Sequence, residues 1–258
     1  MASALITLED LIALKRAEAE RAAPVPAAEV TPSRRDFAYY CATSLEELAV
    51  VPLLAARTPA GGELWPELQP AGAAARLAGG SAHALAVATD ARFGGSLAAL
   101  AAASAAADET PVLHYDFVLG AADLYAARAG GADAVWVHAF LHPPEVIADL
   151  MRTAASLHLA VVVGVRDDAE LRVAAAARPR FLGVHAESLL GGAPDLSAAR
   201  QLADAAGRAV PGAAVVLFGG VQTEADLTAL HGAVDAVVLL APLAARADLD
   251  ALIDRING

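Results

Sequence analysis

The sequence predicts an α/β fold, a single (β/α)8 TIM barrel with an N-terminal helical extension. Short runs rich in valine and leucine alternate with longer Ala/Leu/Arg/Asp segments of helical period, and eight such runs follow one another to the C-terminus. Strands that are buried on both faces have continuous apolar sequences of this kind. Eight βα units without a break in composition favour a closed barrel, and a doubly wound open sheet is the alternative.

Each predicted element follows from these runs. Strands are predicted at 48–54, 83–88, 111–115, 134–138, 159–165, 181–185, 214–218 and 236–240. Helices suited to right-handed crossovers are predicted near 70–79, 96–107, 120–129, 143–157, 168–177, 195–208, 223–231 and 244–256. Residues 1–47 form the extension, which has an amphipathic helix near 7–22 and a linker at 23–47, and residues 48–258 form the barrel. The proline-rich piece from Pro24 to Pro32 is a connection within the linker.

Composition indicates a globular chain with a large core. The chain has 258 residues, of which 57% are hydrophobic and 19% are charged, and its mean hydropathy is +0.49. These values exclude a disordered or low-complexity binder. The length is typical of one α/β barrel domain.

Charge and cysteine content narrow the partners and the compartment. The net charge is -12 and the isoelectric point is near 4.9, so nucleic acid and anionic membranes would be repelled on average. A single cysteine, Cys41, excludes an intramolecular disulfide framework and a cysteine-based zinc site. No signal peptide is recognised, and apolar stretches such as 97–107 are shorter than the roughly 20 residues that span a bilayer. We therefore expect a cytoplasmic protein with no membrane or nucleic-acid partner.

A barrel of this kind carries its active site at the C-terminal ends of the strands. Alternate residues of each strand share a face, so the residues of each strand fall into two sets, and only one set points into the barrel. The residues that share a face are Leu53, Ala55 and Arg57, then Leu113 and Tyr115, Trp136 and His138, Val162, Gly164 and Arg166, and Gly183, His185 and Glu187. The sequence leaves open which parity points inward.

Several segments resemble one known family. The resemblance is carried by Ala88-Thr-Asp-Ala-Arg-Phe-Gly-Gly-Ser-Leu97, Pro111-Val-Leu-His-Tyr-Asp-Phe117, Tyr125-Ala-Ala-Arg-Ala-Gly-Gly-Ala-Asp-Ala134, Leu11-Ile-Ala-Leu-Lys-Arg16, Thr58-Pro59 and Asp235-Ala-Val237. Together they make the chain similar to indole-3-glycerol phosphate synthase. The resemblance implies a (β/α)8 barrel from a family that closes an indole ring on a phosphorylated, ring-opened sugar attached to anthranilate, with loss of carbon dioxide and water.

The residues that carry the family's chemistry are replaced in this chain. A glutamate and a lysine on the first strand match Leu53 and Ala55, and the lysine of the third strand matches Tyr115. The only lysine, Lys15, lies on the extension well before the first strand and is not expected to substitute. General acid and general base groups each contribute roughly 10² to 10⁴ in rate. We therefore expect no working indole-3-glycerol phosphate synthase activity.

The later strands differ from the family as well. The glutamate of the fifth strand matches Gly164, and the asparagine and arginine near the sixth strand match His185 and Glu187. A Glu-Ser-Gly run becomes Phe218-Gly219-Gly220, and the phosphate grip after the eighth strand becomes Leu240-Ala241-Pro242. Leucine, alanine and glycine at such positions are what neutral decay would leave in an alanine-rich chain, whereas two histidines and a tyrosine need another explanation.

The predicted catalytic residues are His138, His185 and Tyr115. The two histidines would act as a general acid/base pair near pH 7, and the tyrosine would donate a hydrogen bond to a developing oxyanion. The alternative is that each ring fills space and bonds to a neighbour. Family positions predict substrate contacts at Arg57, Phe93, Asp116, Phe117, Trp136, Glu187, Leu189, Gly219 and Gly220. Asp116 also has an equally good structural role at its loop.

The sequence leaves open whether the barrel binds a phosphate group after its seventh strand. The backbone N–H groups of Gly219 and Gly220 would approach an anion closely, but a tight turn explains the pair equally well. Leu240 and Pro242 occupy the other half of the family's grip, so the substrate is expected to lack a phosphate or to hold it elsewhere, at Arg57 for example.

No metal and no cofactor are predicted. His138 and His142 have HxxxH spacing, with His185, Asp116 or Glu187 as further ligands, but that spacing aligns two ligands only on one helix. In this chain the stretch between the two histidines runs from a strand end into a loop stopped by Pro143-Pro144, so the two side chains are not aligned on one helix. His114, of the other parity, is expected to pack among helices.

Two functions compete. The first is a divergent lyase or cyclase of specialised metabolism that acts on an anthranilate-like or indole-like small molecule. The second is a catalytically silent barrel that binds a metabolite or a partner protein. The sequence indicates no oligomeric state.

Overall fold

Eight parallel strands form the centre of the molecule. The structure, a computed structural model, describes residues 7–21, 23–42, 47–57, 62–65, 67–190, 193–240 and 242–258. The strands are β1 (Ala49–Leu54), β2 (Leu85–Ala88), β3 (Val112–Tyr115), β4 (Ala134–His138), β5 (Ala160–Val165), β6 (Phe181–His185), β7 (Ala214–Phe218) and β8 (Ala236–Leu239). Each strand pairs with the next, and β8 pairs with β1. The closed barrel is confirmed, and the open-sheet alternative is wrong.

Helices surround the barrel where the periodicity predicts them. They are α1 (Leu8–Arg21), α2 (Phe37–Cys41), α3 (Pro70–Ala78), α4 (Leu97–Ala106), α5 (Ala121–Ala129), α6 (Pro144–Ser156), α7 (Asp168–Ala177), α8 (Leu196–Ala209), α9 (Glu224–Thr228) and α10 (Leu249–Asn257). The last predicted helix is divided, because a 3-10 turn at Leu243–Ala245 and a bend closed by the Arg246–Asp248 ion pair precede α10. In the described part of the chain, no helix combines the length and the apolar character needed to cross a membrane.

The linker contains a short helix that the sequence analysis missed. The carboxylate of Asp36 accepts hydrogen bonds from the backbone N–H groups of Ala38 and Tyr39 and so begins α2. The ring of Phe37 lies 5.5 Å from the ring of Phe181, centroid to centroid, at the start of β6. The helix therefore covers the N-terminal end of the barrel, opposite the expected active face.

The strand face that points into the barrel is the one that carries the candidate residues. Leu53, Tyr115, Trp136, Phe181 and Phe218 belong to one buried cluster inside the barrel. The alternate strand residues belong to a second buried cluster, shared with the helices. Thr58-Pro59, which carried part of the family resemblance, and Ala241, which stands in the replaced phosphate grip, lie outside the described residues.

Candidate active site

Three polar rings meet at the C-terminal mouth of the barrel. Tyr115 ends β3, His138 ends β4 and His185 ends β6, and each side chain is at most 7% exposed. The ring centroids of the two histidines are 5.3 Å apart, and Tyr115 lies 5.9 Å from His138 and 6.3 Å from His185. The structure thus brings the three predicted catalytic residues together, while their catalytic roles stay a prediction.

Trp136 fills the space beneath these rings. A Cβ atom built on Gly164 would lie 2.1 Å from the indole Nε1, and one built on Gly183 would lie 2.4 Å from Cη2. The indole centroid is 5.0 Å from the ring of His185. Trp136 therefore supports the polar rings, and Gly164 is required by the indole. In this packing no side chain fits at position 164.

Further aromatic rings close the mouth. Phe218 stacks on Tyr115 with centroids 4.3 Å apart, Phe117 lies 4.9 Å from His138, and Phe93 lies 5.7 Å from Tyr115. The cavity left between them measures about 10 Å³, which is about the room that one water molecule needs. Its walls, within the described chain, are Leu64, Phe93, Tyr115, His185, Glu187, Ser188, Leu189, Phe218 and Leu240. Phe93 and Leu189 therefore line the mouth as predicted from the family positions.

Burial keeps the three polar rings neutral. It lowers the pKa of His138 well below its ordinary value, with the neighbouring His185 and Arg166 adding to the effect. Burial, with Arg166, lowers the pKa of His185 to about 3. Burial and the carboxylate of Glu187 raise the pKa of Tyr115 well above its ordinary value. The expectation of a histidine pair poised near pH 7 is therefore wrong for this closed arrangement.

The stability of the fold should fall in mild acid because of these histidines. Between pH 6.5, the ordinary value, and about 3, His185 takes up a proton when the chain unfolds but not in the folded state. Stability therefore rises with pH across this window. Urea unfolding at pH 7 and pH 4.5 should show a smaller loss for His185→Phe than for the wild type. An equal loss in both proteins would contradict the depressed pKa.

Lys15 reaches this face of the barrel, which its place before the first strand did not indicate. Its Nζ lies 3.0 Å from Asp116 Oδ1, 3.3 Å from Asp90 Oδ2 and 2.9 Å from Glu18 Oε2. Burial alone would lower its pKa, but the carboxylates of Asp116 and Asp90 outweigh burial and raise the pKa. The ammonium is thus held as a charged anchor for α1. The missed signal was helical spacing, because Leu8, Leu11 and Lys15 share one face of α1 and Leu11 is fully buried.

Asp116 belongs to this anchor, because its oxygens have partners outside the cavity. Oδ1 also accepts from its neighbour's backbone N–H at 2.7 Å, and Oδ2 accepts from the Thr89 hydroxyl at 2.6 Å. The Nε2 atom of His114 is 2.7 Å from the same hydroxyl oxygen. These contacts therefore support the structural role of Asp116 at its loop, while its contact with a substrate stays a prediction. Phe117 packs against the anchor, since Lys15 Nζ is 5.7 Å from its ring centroid.

The glycine pair after β7 is already engaged within the protein. Gly219 donates its backbone N–H to Val238 O at 3.0 Å, and Gly220 donates its own to Glu187 Oε1 at 3.2 Å. Both glycines have positive φ, +70° and +79°. The carboxylate of Glu187 thus occupies the place at the glycine pair where an anionic ligand could have bound.

Two other candidates lie at the periphery. Arg57 is exposed, and its backbone N–H donates to Phe93 O at 3.2 Å. His142 Nε2 is 2.7 Å from Val118 O, so its ring faces a loop carbonyl. Among the described residues, no group of three or more His, Cys, Asp and Glu side chains could hold a metal ion. No role at this face was predicted from the sequence for Lys15, Asp90, Arg92, Phe140 and Phe218.

Comparison with known proteins shows the family. A family model described as "Indole-3-glycerol phosphate synthase" matches residues 6–256. The chain belongs to the indole-3-glycerol phosphate synthase family. "Indole-3-glycerol phosphate synthase 2" of Streptomyces coelicolor is 38% identical over 217 residues, which are 82% of this chain and 81% of the relative. "Indole-3-glycerol phosphate synthase" of Deinococcus radiodurans is 36% identical over 70% of this chain and 68% of the relative.

Solved structures agree with the barrel fold of this family member. A 3-hexulose-6-phosphate synthase superposes with a TM-score of 0.60 at 17% identity, covering 81% of this chain and 98% of that chain. A tryptophan synthase structure from Mycobacterium tuberculosis superposes with a TM-score of 0.61 at 16% identity, covering 87% and 98%. At these identities the likeness concerns the fold alone.

Proposed function

We propose that this member of the family is a divergent lyase or cyclase that acts on an unphosphorylated aromatic small molecule of specialised metabolism. The ligand would be anthranilate-like or indole-like and would bind at the barrel mouth. The observation that carries the proposal is the meeting of Tyr115, His138 and His185, whose polar ring atoms have no hydrogen-bond partner among the described residues.

Unpaired polar atoms in a buried site favour a ligand that pairs with them. The hydroxyl of Tyr115 and both ring nitrogens of each histidine are in this state. Leaving one such group unsatisfied costs about 1–3 kcal/mol. Aromatic walls with a few convergent polar groups are typical of small-molecule sites. A flat ring with one or two polar substituents fits these walls once the mouth opens.

The neutral state of the three rings defines their roles in the proposed reaction. Tyr115, as a neutral phenol, would donate a hydrogen bond to a carbonyl or developing oxyanion. A neutral imidazole would accept a proton from the substrate once the mouth opens and the burial that depresses its pKa is relieved, and the imidazolium would then return the proton. His138 and His185 lie close enough to share these two tasks around one bound ring.

The ring closure of the family is not supported by this site. Leu53 and Ala55, which stand at the glutamate and lysine positions, are buried members of the inner cluster. Neither side chain can transfer a proton. The charged amine of Lys15 is engaged by carboxylates, and Glu187 engages the backbone of the glycine pair. These contacts support a different and unphosphorylated substrate.

The second candidate is a catalytically silent barrel. It is favoured by the closed mouth, whose cavity of about 10 Å³ holds no aromatic ring without side-chain movement, and by the depressed pKa values of both histidines. Such a protein would bind a metabolite or a partner without turnover.

Thermal-shift measurements should separate these candidates from the ring closure of the family. Unphosphorylated anthranilate-like and indole-like small molecules should stabilise the wild type but not His138→Ala/His185→Ala, whereas His231→Ala, at an exposed position, should behave as wild type. A hundredfold excess over Kd contributes about 2.7 kcal/mol, which is readily measured. Stabilisation by sugar phosphates alone would contradict the proposal.

Turnover of the stabilising ligands decides between the two candidates. Loss of turnover in His138→Ala and in His185→Ala supports the lyase or cyclase. Binding without turnover in the wild type supports the silent barrel.

A further inference from the structure

The carboxylate of Glu187 at the barrel mouth is not among those that pair with the nearby cations. Lys15 is paired with Asp90 and Asp116, and Arg166 donates from Nε to Glu170 Oε1 at 2.8 Å. Arg92 is likewise paired, 3.0 Å from Asp90. Glu187 is half-buried, and among the described residues no cation lies within ion-pair distance of it. Within that part of the chain, its one hydrogen bond comes from the backbone N–H of Gly220.

Glu187 lies beside aromatic rings and polar atoms that a ligand would use. The closed cavity at the mouth has Phe93, Tyr115 and Phe218 in its walls, and Glu187 is the charged side chain among its described walls. Tyr115 and His185, which also line it, present the unpaired polar atoms described above. An aromatic enclosure with one carboxylate suits a protonated amine, because ring faces attract cations and a carboxylate pairs with them.

An open groove leads to this cavity from the side. It has a volume of about 650 Å³ and lies between the end of β6 and the start of α8. His185, Glu187, Ser188 and Leu189 line both the groove and the cavity. Movement of the Leu189 side chain would therefore join the two spaces, which gives a ligand enough room for an aromatic ring.

The groove is acidic as well. Its described walls carry the carboxylates of Asp167, Asp168, Glu187 and Asp195. The one cation in them, Arg166, is already paired with Glu170. An anionic ligand would meet net repulsion along this path, whereas a cation would be attracted.

We infer that the ligand of this site carries a protonated amine, that Glu187 binds this amine against the aromatic rings, and that the ligand belongs to the arylalkylamine class. The inference rests on the proposed function, since it names the charge of the aromatic molecule at the same site. A charge-assisted hydrogen bond of this kind corresponds to about tenfold to a hundredfold in affinity.

Three indoles that differ in charge test the inference. Tryptamine is a cation, indole is neutral and indole-3-propionate is an anion, and their affinities are measured by calorimetry for the wild type, Glu187→Gln and Asp204→Asn. Asp204 is an exposed carboxylate of α8 away from the groove, so its amide variant is the matched control. We expect the wild type and the control to bind tryptamine at least tenfold more tightly than indole. Glu187→Gln should lose this preference, while its affinity for indole changes less than about twofold.

Each other result is decisive. Equal affinity of the wild type for tryptamine and indole, or tighter binding of indole-3-propionate, overturns the amine inference and leaves the proposed aromatic site intact. A preference for tryptamine that survives in Glu187→Gln overturns the assignment of this residue. Failure of all three indoles to bind the wild type overturns both proposals. The order of the three affinities is measured on the wild type and so does not depend on whether the variant folds.

Discussion

Gly164→Ala should destabilise the protein by about 3 kcal/mol. The added Cβ would lie 2.1 Å from Nε1 and 2.6 Å from Cε2 of Trp136, whose indole is fully buried among β4, β5 and β6. Neither the strand nor a buried indole can move aside without disturbing the rings above it, because the interior is close-packed. Urea unfolding followed by far-UV circular dichroism measures the loss.

Two further variants test whether the contact with the indole causes this loss. Gly207→Ala, in α8, adds a Cβ that meets nothing within 4 Å, so it should be neutral or gain up to about 1 kcal/mol of stability. Trp136→Leu vacates the space beside residue 164, so adding Gly164→Ala to it should cost much less than adding it to the wild type. Additive losses in the double variant would show that the indole does not require the glycine.

This coupling changes how the replaced family positions are interpreted. Taken one at a time, Gly164 looks like the loss of a glutamate and Trp136 like an aromatic wall. In three dimensions they form one packing unit, with Gly183 on the far side of the indole and His185 above it. Simply restoring a glutamate at 164 would therefore place its stem inside the indole.

The sequence predicts the barrel well because the signal is local. Apolar runs such as Ala214–Phe218 are buried on both faces and stand out from the helical segments around them. The inward parity could not be obtained in this way, because both faces of each strand are apolar. In the structure, the position of Trp136 against Gly164 and Gly183 shows which face is inside.

The site is predicted less completely, because its properties depend on tertiary packing. Strand ends placed His138 and His185 near each other, but their lowered pKa values follow from burial by Phe117, Phe218 and other rings. The carboxylate of Glu187 meets Gly220 across 33 positions of sequence. No spacing rule for a single element reports such a contact.

The position of Lys15 depends on tertiary packing in the same way. Sequence order placed this residue far from the first strand, whereas the fold lays α1 across the mouth, with Leu11 buried and Lys15 beside it among carboxylates. Lys15 must then stabilise the attachment of α1, because both Asp90 and Asp116 are largely buried, with side chains 4% and 14% exposed.

Lys15→Met should therefore destabilise the protein by about 3 kcal/mol at pH 7, since among the described residues it leaves the largely buried carboxylate of Asp116 without a cation and that of Asp90 with Arg92 alone. Lys15→Arg keeps the charge and should recover most of the loss, and Arg21→Met, at an exposed position of the same helix, should change stability by less than about 0.5 kcal/mol. Urea unfolding measures all three variants. A loss for Lys15→Met no larger than that for Arg21→Met would show that the ion pairs do not hold α1.

The pH dependence gives an independent check of the same anchor. Burial would raise the pKa of Asp90, but Arg92 and Lys15 outweigh burial and hold the pKa below its ordinary value of 3.8. A carboxylate with a depressed folded pKa contributes stability above its unfolded pKa and loses it as the pH falls through the folded value. The raised pKa of Lys15 keeps the ammonium charged throughout this range. The difference in stability between wild type and Lys15→Met should therefore be constant from pH 8 to about pH 5 and shrink below about pH 4. Protonated carboxylates no longer need the ammonium, so a difference that grows in acid would contradict this assignment.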